Sequence, residues 1–194
     1  MALRDLELRG AGSLLGDEQS GHVAAVGFEL YCDLLAEAVA ELSGNRGALM
    51  RPVRLDLALD AYVPADYVAY EAAKLDVHRR IALAESVDEL RDIQIELTDR
   101  FGEPPEPVEN LILAQEARIK LAALGADSLT VRGARASLAR ITLGPADLRE
   151  LRERHGRVLY NAAAGEIGLP LSPERPLAQV IALTDTLGDL VKPR

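Results

Sequence analysis

Glycine-rich loops cradle phosphates when they join a strand to a helix, because backbone N–H groups can approach an anion where no Cβ intervenes. Between Asp5 and His22 the chain reads DLELRGAGSLLGDEQSGH, with Gly10, Gly12 and Gly16 spaced G-x-G-x-x-x-G. That spacing is one residue too long for the dinucleotide fingerprint, and no complete strand precedes it. No Gly-Lys-Ser or Gly-Lys-Thr occurs anywhere, so the chain has no P-loop and is not expected to hydrolyse nucleotides by itself.

Other reactive side chains are scattered. His22, His78 and His155 share no ligand-like spacing with acidic residues, and an isolated histidine reads as structural or surface. Cys32 falls inside an apolar-periodic stretch and reads as an inert thiol; as the only cysteine it excludes an internal disulfide and a CxxC zinc site. Glu96 and Asp99 stand three apart, on one helical face. Such a pair is either a solvated acidic face or a surface offered to an arginine-rich partner. These residues point to an interaction domain more than to an enzyme.

The elements that must position these groups follow from periodicity. Val23, Val26, Leu30, Leu34, Ala38 and Leu42 recur at helical steps and stop near Gly44-Asn45-Arg46-Gly47, a candidate linker before Pro52. PVRLDLALDAYVP alternates Val53, Leu55, Leu57 and Leu59 with polar or small residues, as a half-buried strand does. After Pro64, Asp66 could cap a helix burying Tyr70, Ala73, Val77, Ile81 and Ala84. Ser86 and Glu89 have the spacing of a capping box for a helix carrying Leu90, Ile93, Leu97 and Phe101, ended by Gly102. EPPEP turns the chain into a third helix with Leu111, Ala114, Ala117, Leu121 and Leu124, closed by Gly125.

Beyond it, SLTVRG and ASLARITL suggest a hairpin about Gly133-Ala134. A short helix from 146 to 154, a strand over 158–160, a Pro/Gly-rich loop and a last helix with Leu177, Val180, Ile181, Thr184, Leu187 and Val191 complete the chain. The expected class is α+β: amphipathic helices packed on a small, mainly antiparallel sheet, preceded by a loop-helix appendage. Residues 1–50 form the appendage and 51–194 the domain.

Composition limits the partners. A net charge of −9, from 31 acidic and 22 basic residues, opposes broad binding to phosphate backbones. No signal-peptide pattern opens the sequence and no run of ~18 apolar residues occurs, so a soluble, cytoplasmic chain with no membrane partner is expected. With aromatics at 4% and no Trp, the core must come from Leu, Val, Ile and Ala.

The segment from Arg4 to Val39, RDLELRGAGSLLGDEQSGHVAAVGFELYCDLLAEAV, resembles the region after the last helicase motif of the transcription-repair coupling factors. RecG shares its D-L-x-x-R-G-x-G-x-x-x-G-x-x-Q-S-G core. DAYVPADYV, KLDVHRRIALAES and IELTDRFGEPPEPVENLI resemble the additional C-terminal domain of the coupling factors, which RecG lacks. The likeness is dense through Leu124 and diffuse from there to Arg194. His78 departs from the family, which more often has Tyr before the paired Arg79-Arg80.

The resemblance implies that the chain begins inside the RecG-like translocation motif of an ATP-dependent double-stranded DNA translocase. Such a translocase removes stalled RNA polymerase and recruits nucleotide-excision repair. Both motor lobes, the polymerase-binding domain and a UvrB-like N-terminal module would then lie outside this chain, along with the sites for ATP and Mg; no cofactor is expected here. Arg9, Gly10, Gly12, Gly16, Gln19, Ser20 and Gly21 would couple ATP hydrolysis to movement, the glycines allowing close approach and Arg9 contacting phosphate or a motor carboxylate. The domain behind them would fold back on the UvrB-like module and mask the surface that recruits UvrA, with Glu96, Asp99 and Arg100 at the interface. The alternative is a free-standing protein–protein interaction domain with no motor role.

Overall fold

The computed structural model describes residues 53–191. The glycine loop, the stretch Val23–Leu42, the loop-helix appendage and the boundary near residue 50 lie outside them. The described chain runs β1 (Arg54–Leu57), α1 (Glu71–Leu83), α2 (Val87–Phe101), α3 (Glu106–Ala123), β2 (Ser128–Arg132), β3 (Arg135–Ala139), α4 (Pro145–His155), β4 (Leu159–Asn161), β5 (Glu166–Pro170) and α5 (Pro176–Leu190).

The five strands form one sheet in the order β1-β2-β3-β5-β4. Three of its four pairings are antiparallel; only β1 with β2 is parallel. A parallel pair needs a long crossover, and α1, α2 and α3 all lie on this one. The class is therefore α+β with a mainly antiparallel sheet, as the periodicity implied.

Alternation decides which sheet face is covered. Leu55, Leu129, Val131, Ala136, Leu138, Ile167 and Leu169 are buried on one side, against Ala117 and Leu121 of α3, Leu151 of α4, and Leu177, Val180 and Leu187 of α5. The other face bears the register row Asp56–Thr130–Ser137–Gly168–Leu159, which spans all five strands with small or polar residues at its centre. A second core joins Ala61, Val63 and Val68 of the β1–α1 loop to Val77, Ile81, Leu90, Ile93, Leu97, Val108 and Leu111. Helix α3 is common to both cores, so the α1–α2 hairpin is braced on the same helix as the sheet.

Several expectations need correction. The first strand stops at Leu57, because its partner β2 ends at Arg132; beyond Ala58, whose N–H reaches Val131 O, the chain turns away into the second core. Asp66 does not cap α1, which starts five residues later behind Tyr70 without a side-chain cap. Tyr70 itself is 80% exposed. Its expected place on the buried face is taken by Lys74 and His78. The stretch read as a Pro/Gly-rich loop contains β5, which sits inside the sheet between β3 and β4.

Candidate functional site

Helix α2 positions the acidic pair. Ser86 Oγ accepts the Glu89 N–H at 3.2 Å and starts the helix. Glu89 Oε2 does not close the box on Ser86; it accepts the Glu85 N–H at 2.9 Å, one residue upstream. Gly102, at φ +88°, ends the helix with its N–H on Thr98 O. Leu90, Ile93 and Leu97 point into the second core. Asp88, Asp92, Ile95 and Asp99, spaced four, three and four, share the outward face and are all exposed, Ile95 by 55%.

Glu96 lies at the edge of that face and is turned inward. Arg80 of α1 donates from Nη1 to Oε1 at 3.0 Å and from Nη2 to Oε2 at 2.5 Å. Arg100 donates from Nη1 to the same Oε1 at 2.8 Å. Hydrogen bonds from Arg80 first, then Arg100, hold the Glu96 carboxyl down at about 2. Arg100 also stands over the Phe101 ring, 5.0 Å from its centroid, a cation–π geometry. Tyr67 packs its ring on Phe101 at 5.8 Å and donates its hydroxyl to Gly102 O at 3.0 Å. One chain of contacts thus runs from α1 through Glu96 and Arg100 to the end of α2.

Glu96 and Arg100 are brought together, with Arg80 as a third member that spacing along α2 did not disclose. The adjacent arginines at 79 and 80 were its only signal. Asp99 stands apart: it is exposed and makes no ion pair among the described residues. Of the two, Asp99 is the carboxylate without an ion pair, while Glu96 already carries two guanidinium groups. Arg9, Gly10, Gly12, Gly16, Gln19, Ser20 and Gly21 lie outside the described residues, as do His22 and Cys32.

The two described histidines serve the fold. His78 Nε2 accepts the Val63 N–H at 3.3 Å. Burial, reinforced by Lys74, lowers its pKa to about 4, so the ring is a neutral acceptor at pH 7. His155 Nε2 lies 2.7 Å from Thr186 Oγ1, and burial with the nearby Arg154 lowers its pKa. Among the described residues no cluster of three or more His, Cys, Asp or Glu could hold a metal, and no helix is long and apolar enough to cross a membrane.

Comparison with known proteins identifies the family. The family model described as the TRCF domain matches residues 57–154. The transcription-repair-coupling factor of Mycobacterium tuberculosis is 36% identical over 98% of this chain and 17% of its own length. That of Staphylococcus aureus is 41% identical over 61% of this chain and 10% of its own length. The chain thus spans about a sixth of the length of the mycobacterial relatives, one from Mycobacterium bovis included. A solved C-terminal domain of a transcription-repair coupling factor shares the fold, with a TM-score of 0.62 at 17% identity, over 72% of this chain and 93% of that one. With the family model covering just over half of it and relatives following it almost end to end, the chain belongs to the TRCF domain family of the transcription-repair coupling factors.

Proposed function

We propose that this chain is the C-terminal part of an ATP-dependent double-stranded DNA translocase. The parent protein removes stalled RNA polymerase and recruits nucleotide-excision repair. The chain supplies the end of the motor's translocation motif and a domain that masks the UvrA-binding surface of a UvrB-like module. ATP and Mg belong to motor lobes elsewhere in the parent, and this chain by itself is not an enzyme. The observation that carries the reading is the TRCF domain match at 57–154 in a chain whose mycobacterial relatives continue far beyond it.

The outward face of α2 supports the masking role. Asp88, Asp92 and Asp99 present charge around the exposed Ile95. The Arg80–Glu96–Arg100 cluster holds the helix that carries them. Exposed ion pairs contribute ~0–1 kcal/mol each, so a few of them make a latch that releases readily. The test is Asp99→Ala in the full-length protein, read as affinity for UvrA. Tighter binding with unchanged thermal stability supports the mask. Unchanged affinity leaves Asp99 a solvated residue and removes the role.

A further inference from the structure

A carboxylate offers about four acceptor positions on its two oxygens, and in Glu96 three of them are filled from within the domain. Oε1 accepts from Arg80 Nη1 and from Arg100 Nη1, and Oε2 accepts from Arg80 Nη2. Arg80 thus grips the carboxylate with both arms of its fork, the geometry in which an arginine binds a carboxylate most strongly. A second fork has no room on the same two oxygens. A guanidinium arriving from outside can take Glu96 in this way only by displacing Arg80.

Asp99 lies three residues further along α2, and positions i and i+3 are neighbours on a helix surface. It is exposed and makes no ion pair among the described residues. A basic surface seated on Asp99 therefore brings its cations beside Glu96. The cluster is open enough for exchange, with the side chains of Arg80 and Glu96 33% and 37% exposed and that of Arg100 55% exposed. Hydrogen bonds from Arg80 and Arg100 hold the Glu96 carboxyl down at about 2. It stays charged near neutral pH, so trading partners moves no proton.

We infer that Arg80 and Arg100 compete for Glu96 with the basic surface that docks on Asp99, so that the latch on α2 contains its own release element. A free acidic pair would hold such a surface through both carboxylates. Here Glu96 is withheld, and Asp99 carries the contact. The inference rests on the masking role proposed above and refines it, and the two can fail separately.

Competition and simple support predict opposite signs. If Arg80 only steadied α2, Arg80→Gln would loosen the mask and raise affinity for UvrA. By competition, the same change releases Glu96 and tightens the mask. The measurement is UvrA affinity in the full-length protein carrying Asp99→Ala, where the mask is already weakened and binding can be read. Adding Arg80→Gln is expected to lower that affinity roughly two- to fivefold, the effect of one exposed pair. Adding Glu96→Gln as a third change should cancel the fall, with thermal unfolding of each variant as the check on folding. A rise or no change on adding Arg80→Gln overturns the competition. So does a fall that persists with Glu96→Gln, which would be a general effect of charge. If Asp99→Ala alone leaves UvrA affinity unchanged, the masking role itself falls, and the competition with it.

Discussion

Arg80 and Glu96, sixteen residues apart in sequence, meet through two hydrogen bonds of 3.0 and 2.5 Å and so fasten α1 to α2. Arg100 shares one of the two carboxylate oxygens. Paired guanidinium–carboxylate contacts fix geometry as well as adding attraction. The fastening sets the orientation of the face that bears Asp99.

Removing either partner should therefore loosen the hairpin without unfolding the domain. Arg80→Ala and Glu96→Ala are each expected to lower Tm by a few degrees, and the double variant to lose less than the sum, because the two act through one contact. Thermal unfolding of the four proteins in a double-mutant cycle measures this. Strict additivity would mean that the pair is not coupled in solution.

Stability should depend on pH in two separable windows. Burial holds His78 at about 4 in the folded chain, against an ordinary value of 6.5. Between these values the unfolded chain binds more protons, so the neutral ring's contribution is complete above pH 6.5 and is lost as pH falls to 4. The gap corresponds to about 3 kcal/mol. Glu96, held at about 2 against 4.5, contributes fully above pH 4.5 and loses its share as pH falls towards 2. Urea midpoints at stepped pH should show His78→Gln flattening the upper window alone. An unchanged slope in that variant contradicts the assignment.

Leu138 is fully buried on the central strand β3. Leu138→Ala should cost about 2–5 kcal/mol, a large part of the ~5–15 kcal/mol typical of a domain. The urea midpoint should shift while the slope stays constant. A shift below ~1 kcal/mol would place Leu138 outside the cooperative core.

Helices α2 and α3 were legible because their signals are local. The apolar steps of α2 and α3, Ser86 as cap, and Gly102 and Gly125 as stops all follow from neighbours in sequence. So did the hairpin about Gly133, whose two strands pair Arg132 with Arg135. Strand β5 was not legible. In EIGLP only Ile167 and Leu169 alternate, and Gly168 and Pro170, with Gly165 just before them, dominate the pattern; its place comes from pairing on both sides with β3 and β4. The first strand was overread for the opposite reason. Its alternation continues past Leu57, but its partner strand does not.

At the candidate site, spacing on α2 put Glu96, Asp99 and Arg100 within one stretch of helix. It could not distinguish a carboxylate tied to the neighbouring helix from one left in water. That difference is tertiary: Arg80 reaches Glu96 only because α1 and α2 pack over Ile81, Leu90, Ile93 and Leu97. Lys74 and His78 were likewise hidden, since neither polar type announces burial on α1.

Arg9 offers a test of the motor half of the proposal. In the full-length protein Arg9→Ala should spare ATP hydrolysis and abolish displacement of stalled polymerase. Measuring both in one preparation separates coupling from folding. Normal displacement would remove Arg9 from the coupling path.

The masking claim meets its most direct test when this chain is titrated in trans against the UvrB-like module of its parent protein. Saturable binding is predicted, weakened by raised salt as charge-mediated contacts are, and weakened at least several-fold by Asp99→Arg with no change in Tm. Absence of binding, or binding that ignores Asp99→Arg, would contradict a mask built on the outward face of α2.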